Sequence, residues 1–221
     1  MAGPEEKISA ENAEKRSTEE QYFSVDIEAS GRTPGTSSLI SIGTCLTLDP
    51  ENRDYHFYEE LEPLPNAGYL LEAMRVASKG LLCLKGIDII HEPAYDPSSD
   101  LFDPEAVLGM LHMWGGSPRE IMKMYAGYIE EKREGKTPVF LASPDGFDWM
   151  FPASYFEMFY EERNPFGFRP QDPGQWYKGL KRDLHADMWE LVGGKKELTH
   201  NALEDAIAQA KVYQKIFEMI P

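Results

Sequence analysis

The feature that most constrains the fold is the stretch FSVDIEAS, residues 23–30, in which apolar and polar side chains alternate. Alternation with a period of two is typical of a β-strand, because successive side chains point to opposite faces of the sheet. Asp26 and Glu28 therefore share one strand face, and Ile27 lies on the other. Two carboxylates on one buried face repel each other and are costly to desolvate. The pattern predicts a strand whose acidic face needs a compensating partner.

Length and composition indicate one medium-sized domain. The chain has 221 residues, of which 42% are hydrophobic, which is enough for a substantial core. We expect a disordered polar tail over residues 1–20 and a single domain over residues 21–221. No apolar run is long enough to cross a bilayer, so we expect no membrane partner. Cys45 and Cys83 lie in apolar contexts and are expected to be reduced core residues, which favours a cytoplasmic location.

The order of elements predicts an α/β fold. Residues 22–29, 39–48 and 55–61 are predicted strands that form a three-strand antiparallel meander, and residues 137–143 form a further strand. Helices are predicted between and after these strands, including a short helix over residues 183–191 and a final helix over residues 201–220, whereas residues 164–179 are predicted to be a long loop. This order favours a mixed β-sheet, with the meander and parallel strands, flanked by α-helices. The helix over residues 117–134 has apolar positions that could face a partner in a homo-oligomer, although core packing is the alternative.

A third inward carboxylate is predicted on the last helix. On a helical wheel Asp205 falls inside the wide apolar sector, near Val212 and Ile216. The alternative is an ordinary first-turn acid that the helix dipole stabilises. His200 precedes Asp205 by five residues and would lie near the helix start. Such a histidine is either a surface or capping residue, or a general base beside inward carboxylates.

The segment PDGFDWMF supplies a fourth carboxylate, Asp148, at the start of a helix that follows a strand. The alternative is that Asp148 only caps this helix. Asp145 competes for the same capping position, and only one of the two is expected to face the site.

Three segments together resemble a known family. VDIEASG, GFDWMF and HNALEDA occur in the order typical of the DEDDh 3′–5′ exonucleases of the ribonuclease H-like fold. HNALEDA is the strongest match, because both the His–Asp spacing and the small residues around the pair agree. The segment SPDG before Phe147 departs from the family pattern, as do the long stretch of residues 63–135 and the aromatic loop near Asn164.

The resemblance implies a role for each site residue. Asp26 would bridge two divalent metal ions, Glu28 and Asp205 would complete the shell of one ion, and Asp148 would support the other. His200 would take the proton from the attacking water. The family pattern also places Ile27, Ala29 and Ser30 near the terminal 3′ hydroxyl of the substrate.

The chemistry of the residues agrees with a metal site. Four converging carboxylates cannot all stay charged without compensation, and divalent ions provide it. Oxygen ligands suit Mg²⁺ or Mn²⁺, and no His/Cys cluster in the sequence points to zinc.

The formal charge of −16 argues against non-specific binding of duplexes, which needs a broad basic face. Residues 163–196 nevertheless hold seven basic and four acidic side chains, a local excess of three positive charges, with Phe166, Phe168, Trp176 and Tyr177 interleaved. Such a mixture could guide a short single strand by phosphate contacts and stacking. The alternative is a solvated face with core aromatics. The expected partners are single-stranded nucleic acid or short oligonucleotide 3′ ends.

Three functions therefore compete. The first is a metal-dependent 3′–5′ exonuclease, which we favour. The second is a catalytically silent nuclease-fold module that binds a strand end or a protein partner. The third is a phosphohydrolase with a similar acid cluster that does not cleave polymers. The sequence does not distinguish RNA from DNA as the substrate.

Overall fold

The structure is a computed structural model that describes residues 19–194 and 198–220. The strands are β1 (Glu20–Ala29), β2 (Leu39–Leu46), β3 (His56–Glu60) and β4 (Thr137–Leu141). The helices are α1 (Leu71–Ala77), α2 (Pro104–Trp114), α3 (Pro118–Lys132), α4 (Asp145–Phe159), α5 (Pro173–Lys181) and α6 (Ala202–Phe217).

One mixed sheet organises the described residues, with the strand order β3-β2-β1-β4. β1 pairs with β2 and β2 with β3 in antiparallel fashion, whereas β1 and β4 are parallel. The predicted meander and mixed sheet are therefore confirmed. Within the described residues, β4 is the strand that pairs in parallel with β1. The predicted N-terminal tail lies outside the described residues except for its last two positions, of which Glu20 already belongs to β1.

β1 is buried on both faces. The two faces differ chemically, because one carries apolar side chains and the other carries Ser24, Asp26 and Glu28. Phe23 and Val25 belong to the main core, together with Tyr125 of α3 and Phe151 of α4. Such large side chains contribute most of the burial on this face. The inward positions of α3 pack in this same core, so core packing accounts for most of its apolar residues, whereas Met124 is 50% exposed.

The opposite face of β1 is covered by α6. Ser24 Oγ on that face donates a hydrogen bond of 2.8 Å to the backbone oxygen of Ala206. Gly43 of β2, which is paired with Asp26, allows the start of α6 to approach closely, since a Cβ at this position would overlap the backbone of Ala202 and Leu203. The polar face of β1 is thus closed off by the helix that carries Asp205.

Residues 62–116, between β3 and α3, build a satellite layer with its own small core. Its buried members are Ile40, Met74, Ala77, Leu81, Phe102, Val107, Leu108 and Leu111. Ile40 comes from β2, so the layer is joined to the sheet by packing. The layer also places the turn Ser78–Gly80 against the start of α6.

Two sequence predictions near the C-terminal half are wrong. The predicted loop over residues 164–179 contains most of α5, which begins after Asp172 because the Asp172 side chain accepts hydrogen bonds from the backbone of Gly174 and Gln175. The predicted helix over residues 183–191 is instead a short 3₁₀ segment, Met188–Val192. Among the described residues, no helix combines the length and apolar character that a membrane crossing requires.

Candidate active site

The site forms where β1 extends beyond β4. The ladder between these strands ends at Ser24 and Leu141, so no strand of the described residues pairs with the β4-facing edge of β1 near Asp26 and Glu28. The chain leaving β4 enters α4, and Asp148 in its first turn accepts a hydrogen bond from the backbone N–H of Ile27. Asp148 thereby reaches the acidic end of β1.

Burial distinguishes Asp145 from Asp148, of which only one is expected to face the site. Asp148 is buried, whereas Asp145 is partly exposed. Neither side chain caps α4, whose N-cap residue is Pro144. Asp148 is therefore the aspartate of this turn that faces the site.

Asp205 is buried and faces inward, as the helical wheel predicts. Its carboxylate accepts hydrogen bonds from Thr199 N at 3.0 Å, Thr199 Oγ1 at 3.2 Å and His200 N at 2.9 Å. The N-cap of α6 is Asn201, whose side chain accepts from Glu204 N, so capping of this helix does not need Asp205. Asp205 thus both faces the other acids and holds the segment that presents His200.

A second contact fixes the same segment from the satellite layer. Asn201 Nδ2 donates a 2.9 Å hydrogen bond to the backbone oxygen of Gly80. A Cβ at Gly80 would overlap the backbone of His200 and Asn201, so only glycine permits this approach. His200 itself has a positive φ of 58°, a conformation that L-residues adopt rarely and that tends to occur at functional sites.

His200 and Glu28 face each other, with Nδ1 of the imidazole 3.5 Å from Oε1 of the carboxylate. The Glu28 contact raises the pKa of His200 above its usual value, although partial burial opposes this change. Burial raises the pKa of Glu28 more strongly than His200 lowers it, so the pKa of both partners is raised. If Nδ1 carries a proton directed at Glu28, the Nε2 atom is left as a proton acceptor.

The four carboxylates repel one another. Burial raises the pKa of Asp26 well above its ordinary value, and the charges of Asp148, Glu28 and Asp205 raise it further. Burial likewise raises the pKa of Asp148, which the hydrogen bond from Ile27 only partly offsets. The protein therefore has too little positive charge near these four carboxylates to balance their negative charge, and a bound cation would supply it.

Three side chains are close enough to share one metal ion. Single ligand atoms from Glu28, His200 and Asp205 all lie within 4.8 Å of one another. Asp26 and Asp148 add oxygen donors beside this group, and a set rich in carboxylate oxygens fits Mg²⁺ or Mn²⁺. The geometry also gives His200 two possible roles, as a ligand or as a base.

Ser30 forms hydrogen bonds through both its hydroxyl and its backbone oxygen. Its hydroxyl donates to Gly68 O at 2.9 Å and accepts from Ser38 N at 2.8 Å, and its backbone oxygen accepts from Leu70 N at 2.8 Å. The Ser30 side chain thus holds the loop after β1 together. The predicted contacts of Ile27, Ala29 and Ser30 with a terminal 3′ hydroxyl remain a prediction.

Gln209 is a site residue that the sequence reasoning missed. Its Nε2 donates a 2.7 Å hydrogen bond to Asp26 Oδ1, and its Oε1 accepts a 2.6 Å hydrogen bond from the Tyr213 hydroxyl. All three side chains are buried. The available signal was a polar residue one helical turn after Asp205, on the same inward side of α6.

Three aromatic residues of the predicted basic and aromatic segment lie in the core, whereas Arg163, Arg169, Lys181 and Arg182 are exposed. Phe166 and Tyr177 are buried and Trp176 is partly buried, so the alternative of core aromatics is correct for these three. Phe168 is 79% exposed, and Arg163 lies over its ring at 5.6 Å. Lys195 and Lys196 lie outside the described residues.

The chain is similar to a known exonuclease along most of its length. No family model matches the chain. A curated relative, the 3′-5′ DNA exonuclease Cap18 of Escherichia coli, is 27% identical over 207 residues, which cover 91% of this chain and 94% of the relative. The predicted resemblance to 3′–5′ exonucleases is confirmed. It extends over nearly the whole length of both chains.

Solved structures show the same fold. Pop2p of S. pombe, in a form with Mg²⁺ and Mn²⁺ bound, superimposes with a TM-score of 0.56 at 13% identity, covering 98% of this chain and 90% of that chain. A 3′-exonuclease described in 3′-end-specific recognition of the histone mRNA stem-loop gives a TM-score of 0.60 at 12% identity, covering 97% and 71%. The ribonuclease H-like fold predicted from the sequence is confirmed.

Proposed function

We propose that this protein is a metal-dependent 3′–5′ exonuclease that hydrolyses phosphodiester bonds at the 3′ end of single-stranded nucleic acid or short oligonucleotides. The observation that carries this proposal is the convergence of Asp26, Glu28, Asp148, His200 and Asp205 from three distant parts of the chain. The relative named as a 3′-5′ DNA exonuclease and the fold shared with 3′-exonucleases support it.

The roles proposed for the acids come from the family resemblance, and their mutual electrostatic effects support them. Asp26 is the acid on which the charges of Asp148, Glu28 and Asp205 all act. On this proposal Asp26 would serve two ions, Glu28 and Asp205 would hold one of them, and Asp148 would hold the other. When bound, two Mg²⁺ or Mn²⁺ ions would supply Lewis-acid chemistry at the scissile phosphate.

His200 is assigned as the general base. Its Nε2 accepts a proton from the attacking water, whose oxygen bonds to phosphorus while the bond from phosphorus to the 3′ oxygen of the preceding nucleotide breaks. That 3′ oxygen takes up a proton, and a nucleoside 5′-monophosphate leaves. The contact with Glu28 raises the basicity of the imidazole and fixes its orientation.

The experiment is a gel of 5′-labelled RNA and DNA of equal sequence, each incubated with the protein in Mn²⁺, in Mg²⁺ and in chelator. We expect a ladder that shortens from the 3′ end, requires metal and is absent with Asp26→Ala. The faster ladder identifies the preferred sugar, which matters because one relative is named for DNA and one structural neighbour for an RNA stem-loop.

Intact substrate in every lane would overturn the proposal and favour a silent module that binds strand ends. Cleavage that persists with Asp26→Ala would place the chemistry elsewhere or in a contaminant.

A further inference from the structure

A cavity of about 420 Å³ adjoins the candidate active site on the side of the satellite layer. Thr199 and Asn201, which flank His200, form one wall, and Glu204 of α6 extends it. The opposite wall comes from the turn Ser78–Gly80 and the segment after it, including Tyr95. Its volume is within the range of cavities that hold small organic ligands.

Two lysines line this cavity in a chain whose formal charge is −16. Neither Lys79 nor Lys85 forms an ion pair with any residue that the structure describes. Lys79 is exposed, and its neighbour Gly80 is in direct backbone contact with His200. The Lys79 ammonium group therefore lies at the edge of the site and forms no ion pair with the described residues.

The rest of the lining suits a nucleotide. Leu82 and Ile89 are about half exposed, at 49% and 46%, and Tyr95 is partly buried beside them. Apolar and aromatic surface next to free cations is the combination that binds single strands, because bases stack or pack while phosphates are neutralised.

We propose that this cavity binds the nucleotide on the 5′ side of the scissile phosphate, with Lys79 and Lys85 contacting the backbone phosphates of a single strand. The inference rests on the proposed exonuclease function and assigns a specific part of the substrate to the satellite layer.

A simpler role for Lys79 is to offset the charge of the nearby carboxylates, since it lowers the pKa of both Glu28 and His200. The two roles differ in their effect on substrate length. A lysine that binds the preceding nucleotide acts only on substrates that have one, whereas a lysine that offsets charge acts on all substrates and on the metal ions.

The test compares two substrates. One is a single-stranded tetranucleotide, and the other is the p-nitrophenyl ester of a nucleoside 5′-phosphate, in which nitrophenol replaces the preceding nucleotide. For Lys79→Ala we expect the ratio of kcat/KM for the tetranucleotide to kcat/KM for the ester to fall about tenfold. The slope of log kcat/KM against log salt should become shallower by about 0.7 for the tetranucleotide, which is the loss of one phosphate contact on a single strand. Lys123→Ala, on α3 and lining a different cavity, is the matched control.

An unchanged ratio, with both substrates slowed equally, would overturn the inference and leave Lys79 as a charge-offsetting residue. If the wild-type protein cleaves neither substrate, the exonuclease proposal fails, and binding of a labelled tetranucleotide measured by fluorescence anisotropy then decides the question. Weaker binding by about tenfold with Lys79→Ala would still support the cavity, and equal binding would reject it.

Discussion

At the scale of single residues, the position of Asp26 depends on a buried hydrogen-bonded chain. Tyr213 orients Gln209, and Gln209 donates to Asp26 Oδ1. Residues that orient a metal ligand typically affect metal affinity or activity by about 10- to 100-fold. Gln209 therefore belongs functionally to the site, although it carries no charge.

We expect Gln209→Ala to weaken Mn²⁺ binding or lower kcat by at least about tenfold, because Asp26 loses its donor and can reorient. Isothermal titration with Mn²⁺ and steady-state kinetics would measure both effects. Gln214→Ala on the exposed side of α6, where Gln214 contacts Leu48 O, is the matched control and should change neither. Equal behaviour of the two variants would show that Asp26 is held by other contacts.

The two roles considered for His200, general base and metal ligand, predict different dependences of activity on pH. A general base must be neutral, so activity should fall as pH drops through its pKa, which Glu28 raises above the usual histidine value. His200→Ala should lower kcat by about 10²- to 10⁴-fold, remove this acidic limb of the profile and leave Mn²⁺ affinity unchanged. A large loss of Mn²⁺ affinity would instead identify His200 as a metal ligand.

At the scale of elements, the site is assembled by close packing of α6 on β2. Gly43 is the contact point, since an added Cβ would meet helix backbone that has no room to move aside. The end of a flexible side chain can move aside for an added Cβ, whereas helix backbone can do so only if the whole helix is displaced.

Gly43→Ala should therefore lower Tm by about 5 °C, corresponding to an overpacking cost of about 1–3 kcal/mol, and should also lower activity because Asp205 moves with α6. Differential scanning fluorimetry and the labelled-oligonucleotide gel would measure the two effects. Gly127→Ala on α3, where a Cβ meets nothing within 4 Å, should raise Tm or leave it unchanged and should keep activity. Full activity of Gly43→Ala would mean that the close approach does not set the site geometry.

The elements near the site were the most predictable from the sequence. The alternation in β1 and the inward position of Asp205 are local patterns that burial enforces. Gln209 was missed because a polar residue on an inward helix face gives no sign of its partner, which lies 183 positions away. The helix α5 was missed because Pro and Gly near its start resemble loop composition, although Asp172 before Pro173 is a regular helix-start signal.

At the scale of the whole molecule, uncompensated buried acids should make stability depend on pH and metal. The pKa of Asp26 and of Asp148 is raised in the folded state, so the folded protein binds protons more tightly than the unfolded chain. In chelator, stability should therefore decrease as pH rises from the ordinary carboxyl pKa through the raised values of these two groups.

Asp148→Asn removes one of these charges and keeps an acceptor for the Ile27 N–H. In chelator at neutral pH we expect its Tm to exceed that of the wild type by about 2–4 °C, the shift that about 1 kcal/mol produces at this chain length, with a weaker pH dependence. Thermal unfolding between pH 5 and 8 would measure this. Asp145→Asn, in the same turn but partly exposed, is the control with little expected change. A lower Tm for Asp148→Asn would show that this charge is already compensated within the protein.

The central claim is that Asp26 and Glu28 share one face of β1 because they hold divalent cations with the other site acids. The most direct measurement is a Mn²⁺ titration, followed by electron paramagnetic resonance, of the wild type, Asp26→Asn and the exposed control Glu204→Gln. We predict two bound ions for the wild type and for Glu204→Gln, and loss of at least one ion from Asp26→Asn. Absence of bound Mn²⁺ in the wild type, or equal binding in all three proteins, would contradict the account.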